Sequence, residues 1–170
     1  LEDYPSDRLE GFVDGLLAHI PSLREHTCSY GVKGGFVQRL REGTWMGHIL
    51  EHCSIELQCL VGTPVTYGKA RSAEKAGVYH VIYSYDEERV GLEAGALALK
   101  LIRSLLPAEL PSTLGESFDF EAEKHRLAKL AERMALGPST RSLVEEARKR
   151  GLAGQKRLKE QGRTLEGQIQ

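Results

Sequence analysis

The sequence predicts an α+β domain in which a small sheet is packed by several amphipathic helices. Few segments read as strands, the clearest being the β-branched and aromatic run VYHVIYSY at 78–85. Several longer segments instead space their apolar residues with helical periodicity. The two kinds of segment are grouped along the chain rather than regularly alternating, which argues against a doubly wound parallel sheet.

Taken in order, SDRLEGFVDGLLAHIPSL opens with a Ser/Asp cap signal. Leu9, Phe12, Val13, Leu16, Leu17 and Ile20 follow at helical spacing until Pro21 stops the helix. Gly31, Gly34 and Gly35 mark a loop whose backbone must bend or come close to something, and FVQRLRE after it is a short alternating strand candidate. The loop lacks GxGxxG or P-loop spacing, so it is not read as a phosphate cradle. Thr44 is the expected N-cap of a second helix running to about Val61 and ending at Gly62, ahead of Pro64. VTYGKARSAEKAG reads as a loop leading to the strand. Asp86 is expected to cap the long helix EERVGLEAGALALKLIRSLL, with Glu87 and Glu88 in its acidic first turn and Pro107 closing it. Two charged amphipathic segments, near 119–135 and 140–150, precede a basic, Gln-rich end that reads as a helical or frayed tail.

A length of 170 residues with 41% hydrophobic content suits one domain plus an appendage, here 1–138 and 139–170. Residues 1–140 carry 15 Lys+Arg and 20 Asp+Glu, a balance of −5, and residues 141–170 carry 8 and 4, a balance of +4. The total of −1 gives no reason to expect nucleic acid, and no apolar run approaches the ~20 residues needed to cross a bilayer. A cytoplasmic protein is the simplest expectation. Cys28, Cys53 and Cys59 fit no CxxC pattern and read as reduced, half-buried thiols.

The second helix carries the chemistry. At about 100° per residue, Met46, Ile49, Leu50, Cys53, Leu57, Leu60 and Val61 share a core side. His48, Glu51, His52 and Glu56 lie opposite, together with Ile55, Cys59 and Trp45. That mixture suits the wall of a partly covered cleft better than a face that simply meets water. His48 and His52 stand one turn apart and can share a metal ion, and Glu51 can reach a metal-bound water without being a ligand. The HxxEH spacing is that of the inverted zincins; neutral imidazoles suit Zn2+, which lowers the pKa of its water to ~7. A third ligand is required. Glu88 is the preferred candidate, with Glu87 and Glu93 as rivals, whereas Glu56 is displaced from His48 by ~12 Å of helical rise.

The run PSLREHTCSYGVKGGFVQRLREGTWMGHILEHCSIELQCLVG resembles the N-terminal domain of cyanophycin synthetases, with its pattern EHxCSxGxxGGFxxRxxEGTxMGHxxEHxxLELQ. The resemblance continues through YGKARSAEKAGVYHVIYSYDEE and LGPSTRSLVEEARKRG, over roughly residues 1–150. It departs from the pattern at Ser84 and Glu93 and in the tail. The resemblance implies that the chain handles cyanophycin, a polymer of aspartate and arginine, or its oligopeptides. It also implies the lack of the ATP-grasp and Mur-ligase-like domains that polymerise it. From these the expectation is a free-standing Zn2+-dependent hydrolase, a metallopeptidase with cyanophycinase activity that cuts the polymer backbone with metal-activated water. His48, His52 and Glu88 would be ligands and Glu51 the base. Arg41, Glu42, Glu56, Lys69 and Arg71 are candidate substrate contacts. The alternative is a non-catalytic module that holds the polymer in the same cleft. A homo-oligomer, most simply a dimer, is the expected assembly.

Overall fold

The computed structural model describes residues 4–75, 78–110, 118–135, 137, 142–143, 146–147 and 150. It has the expected α+β architecture, with five α-helices and one two-stranded antiparallel sheet among the described residues. The chain divides into two compact units, Leu1–Met134 and Ala135–Gln170. The basic tail expected at 139–170 lies largely outside the described residues.

The first predicted helix is split. Ser6–Arg8 forms a 3-10 turn and α1 spans Phe12–His19, with Gly11 between them in the left-handed region. Phe12, Leu16 and Leu17 are buried on one face of α1, as their spacing predicts. A second 3-10 turn, Pro21–Glu25, and a third, Cys28–Tyr30, lead into α2, Gly35–Glu42. Here the strand expected at FVQRLRE is a helix instead. Phe36 and Leu40, four residues apart, are both fully buried, while Gln38, Arg39 and Arg41 face water. That is helical periodicity which the short alternation concealed.

The central element is α3, Met46–Leu60. Its N-cap is Trp45 and no side chain caps it; the Thr44 hydroxyl expected there is drawn instead to His48, 2.9 Å away. The helix α4, Glu88–Ser104, packs along one side of α3, and α5, Phe120–Met134, packs on α4. Glu87, not Asp86, occupies the N-cap position of α4. At the start of α5 the Asp119 carboxylate accepts from Ala122 N–H at 3.0 Å.

The loop expected before the clear strand contains its partner. β1, Gly68–Ser72, pairs with β2, Tyr79–Tyr83, with Lys69 opposite Ile82 and Arg71 opposite His80. The polar KARS run hid β1 because its outward face carries charge, but a lone strand cannot satisfy its own backbone, so β2 requires a partner. The inner face of the hairpin lies against α3. Gly68 is needed there, since a Cβ would stand 2.6 Å from Glu51 Cγ and 2.7 Å from Ile55 Cδ1. The core runs through α1, α2, α3, α4 and α5, with Ile49, Cys53, Leu57, Val90, Ala94 and Leu101 fully buried at its centre.

Candidate functional site

Helix α3 is buried on nearly every side. Its polar residues Glu51, His52 and Glu56 are only 7%, 9% and 9% exposed, so this face is enclosed by other parts of the chain. One cover is the hairpin, whose Ala70 backbone amide favours the ionised form of the Glu51 carboxylate. The other is the 20–35 loop, which brings in His26 and Cys28. Phe36 N–H donates to the His26 carbonyl at 3.1 Å, and a Cβ on Gly35 would lie 2.1 Å from the Thr27 carbonyl oxygen. Only glycine permits that approach. The glycines of the loop thus serve close packing that presents two side chains to α3. Cys28 itself has a φ of 51°, a conformation that L residues adopt at a cost.

The assembled cluster joins three histidines, a thiol and a carboxylate. Cys28 Sγ is 3.3 Å from His48 Nε2, and Thr44 Oγ1 is 2.9 Å from His48 Nδ1. The Nδ1 atoms of His26 and His52 are 2.8 Å apart, and His26 Nε2 is 2.7 Å from Glu56 Oε2. Phe36 stacks on the His52 ring at 3.9 Å and 16°, and the His48 and His52 rings meet edge-on at 4.7 Å. One ligand atom from each of Cys28, His48 and His52 lies within 4.8 Å of the others.

Enclosure sets the protonation states. Burial lowers the pKa of His48, with Arg39 adding to the effect. His52 is lowered to about 3 by burial and then by the neighbouring His48 and His26. Both rings are therefore neutral at physiological pH, the state in which imidazole binds metal. Burial pushes Glu51 up, partly offset by the Ala70 N–H. Burial also opposes ionisation of Glu56, but the hydrogen bond with His26 at 2.7 Å outweighs it and holds the pKa low. Two neutral imidazoles and a thiol converging here fit Zn2+ or a similarly borderline-soft ion.

Two adjoining clefts open onto this cluster and share Ser29, His48, Glu51 and Gly68. The larger, about 600 Å3, runs past His26, Cys28 and His52 to Glu25, Glu56, Cys59 and Val65. The smaller, about 370 Å3, is lined by Arg39, Lys69 and Arg71 with Trp45 and Tyr79. Together they form a groove with an acidic end and a basic end.

The structure thus brings His48, Glu51, His52 and Glu56 to one cleft and Lys69 and Arg71 to its neighbour. Arg41 and Glu42 line a different depression with Arg24 and Gln38. Glu88 is exposed in the first turn of α4 and lines neither half of the groove, and Glu93 faces a cleft between α4 and α5. Cys28 occupies the place sought for Glu88 beside the two histidines. His26 and Cys28 were legible only as part of the motif EHTCS; nothing in their own neighbourhood ties them to a helix twenty residues on.

The family model described as the cyanophycin synthase-like N-terminal domain matches residues 1–107. This chain belongs to that family. It is 44% identical over 147 residues to the cyanophycin synthetase of Synechocystis sp., covering 86% of this chain and 16% of that protein. The cyanophycin synthetase of Crocosphaera subtropica is 41% identical over 158 residues, covering 89% and 17%. That of Nostoc sp. is 40% identical over 153 residues, covering 89% and 16%. The chain thus spans about one sixth of the length of these relatives. All three are named for synthesis, and this overturns the reading as a zinc peptidase with cyanophycinase activity: the relatives are synthetases, not hydrolases. No described helix is long and apolar enough to cross a membrane.

Proposed function

We propose that this chain holds a segment of the cyanophycin polymer in the two-ended groove, as the polymer-handling part of a synthetic system. The observation that carries this reading is the meeting of an acidic and a basic cleft at His48 and Glu51. A polymer of aspartate and arginine presents both guanidinium and carboxylate groups. Glu56, kept ionised by His26, and Glu25 at the rim suit the guanidinium; Arg39, Lys69 and Arg71 suit carboxylates. The exposed, flat ring of Trp45 adds a surface for an arginine or a peptide plane.

Between the two ends, Cys28, His48 and His52 would hold Zn2+. A bound ion there supplies a fixed positive charge for a carbonyl or carboxylate oxygen of the polymer. Enclosure by Phe36, the His26–Glu56 pair and the hairpin keeps the donors neutral and oriented, and Glu51 anchors the hairpin edge beside them.

Trp45 is the chain's one tryptophan and lines the basic cleft, so its fluorescence reports occupancy directly. Titration with cyanophycin oligopeptides is expected to change that signal saturably and to weaken with salt. Arg71→Glu and Glu56→Gln should each weaken binding several-fold. An unchanged Trp45 signal together with no retention on immobilised polymer would sink the proposal.

A further inference from the structure

The hydrogen bonds around His52 carry information that its distance from Cys28 and His48 does not. A neutral imidazole has one N–H and one lone pair, and which nitrogen carries which is decided by its neighbours. Glu56 is ionised and can only accept. In its one-proton form His26, 2.7 Å away through Nε2, donates Nε2–H to it. The Nδ1 of His26 is then left with its lone pair. At 2.8 Å it can only accept from His52 Nδ1, which must carry the proton. The lone pair of His52 is consequently placed on Nε2.

We infer that Glu56 and His26 form a positioning relay that fixes His52 in its Nδ1–H form and leaves the Nε2 lone pair as the free donor, on the side of the ring away from the relay. Thr44 orients His48 without fixing its tautomer, since a hydroxyl can donate or accept. Its hydroxyl takes the Nδ1 side at 2.9 Å, which leaves Nε2 facing the Cys28 thiol at 3.3 Å. Phe36, stacked on His52, prevents the ring from turning over to exchange its two nitrogens. The two histidines are thus held by unrelated devices, one a hydroxyl from the start of α3 and the other a carboxylate–imidazole chain crossing from α3 to the 20–35 loop and back.

The relay's consequence for affinity rests on the metal site proposed above, but the tautomer can be read without metal. Long-range 1H–15N correlation spectra of the full chain, with 15N-labelled histidine and a chelator, separate a protonated ring nitrogen from a lone-pair one. At pH 8, above the ordinary imidazole range, wild-type His52 should show protonated Nδ1. His26→Ala and Glu56→Ala should each turn His52 into a mixture of tautomers while His48 is unmoved. His26→Asn, whose amide oxygen can accept from His52 Nδ1–H, should restore the single form. In parallel, Co2+ titration followed by its visible absorption should show affinity 10–100-fold lower in His26→Ala and Glu56→Ala, recovering in His26→Asn. A His52 proton on Nε2 in the wild type, or a His52 spectrum identical in wild type and His26→Ala, overturns the relay. Failure of the wild type to take up Co2+ overturns the metal reading alone, because the tautomer spectra decide the relay independently.

Discussion

The two long faces of α3 are almost equally buried and are held by opposite physics. On one, Ile49, Cys53 and Leu57 are fully enclosed among α1, α2 and α4 and are stabilised by apolar burial, with no partner of any particular geometry required. On the other, Glu51, His52 and Glu56 are nearly as enclosed, yet each costs free energy to desolvate and is tolerated only because Ala70 N–H, His26 and their neighbours satisfy it. The cysteines mark the same division. Burial pushes the Cys53 thiol far above its usual range, with Glu56 adding to the effect, so it behaves as a small apolar side chain. Cys28 is only half-buried, sits in strained backbone and faces a histidine. A helix with this asymmetry stores stability on one side and gives some of it up on the other to hold neutral bases in a groove.

The largest expected effect comes from the apolar side. Leu57→Ala should cost about 2–5 kcal/mol in denaturant unfolding, the range for an enclosed leucine that leaves a cavity. A loss below ~1 kcal/mol would show that the core side of α3 is not where the fold is held.

The polar side should respond to pH instead. His52 has its pKa depressed from 6.5 to about 3, so the unfolded chain binds the proton more readily than the folded one. Its stability contribution is complete above pH 6.5 and is lost as pH falls toward 3. Between pH 7 and pH 5 this amounts to about 2 kcal/mol. Glu56, also depressed, adds a loss in the same direction below the ordinary carboxylate range. Equilibrium unfolding of His52→Asn should show a flatter pH 5–7 profile; an unchanged slope would assign the effect elsewhere.

A smaller change tests the hairpin's hold on the groove. Gly68→Ala places a Cβ against Glu51 and Ile55, whose side chains can shift, so about 1 kcal/mol of destabilisation is expected. Polymer binding should weaken more than that figure suggests, because Glu51 must leave the Ala70 N–H. Arg41→Ala should do least: it lies outside the groove, and both stability and Trp45-detected binding should stay within ~0.5 kcal/mol of wild type. Equal loss in Arg41→Ala and Arg71→Glu would mean that the groove is not the binding surface.

Much of this contrast was legible beforehand. The angular positions of Ile49, Cys53 and Leu57 against His48, Glu51, His52 and Glu56 separate a core side from a cleft wall, because helical pitch is a local property of the backbone. The ends of α3 and α4 were legible to within a few residues from Gly62, Glu87 and Pro107. Two misreadings have one cause. α2 looked like a strand and β1 like a loop because each is short and largely polar on its outer side, so packing rather than pattern selects its conformation. The same limit hid Cys28. An acidic residue at the head of α4 satisfied every local criterion, but Glu88 faces water and Cys28 stands beside the histidines.

By itself, then, the sequence determined the α+β class, the two-sided helix and the neighbourhood of His48 and His52, all of which follow from side-chain period and from residue types close together in the chain. Tertiary structure decided what meets that helix: His26 and Cys28 from a glycine-packed loop, Ala70 from the hairpin, and a basic cleft set against an acidic one. Those juxtapositions depend on a Cβ-free Gly35, which admits the Thr27 carbonyl, and on Gly68, which leaves room for the Glu51 and Ile55 side chains. Such distances are properties of the folded chain path and are encoded in no single stretch of residues.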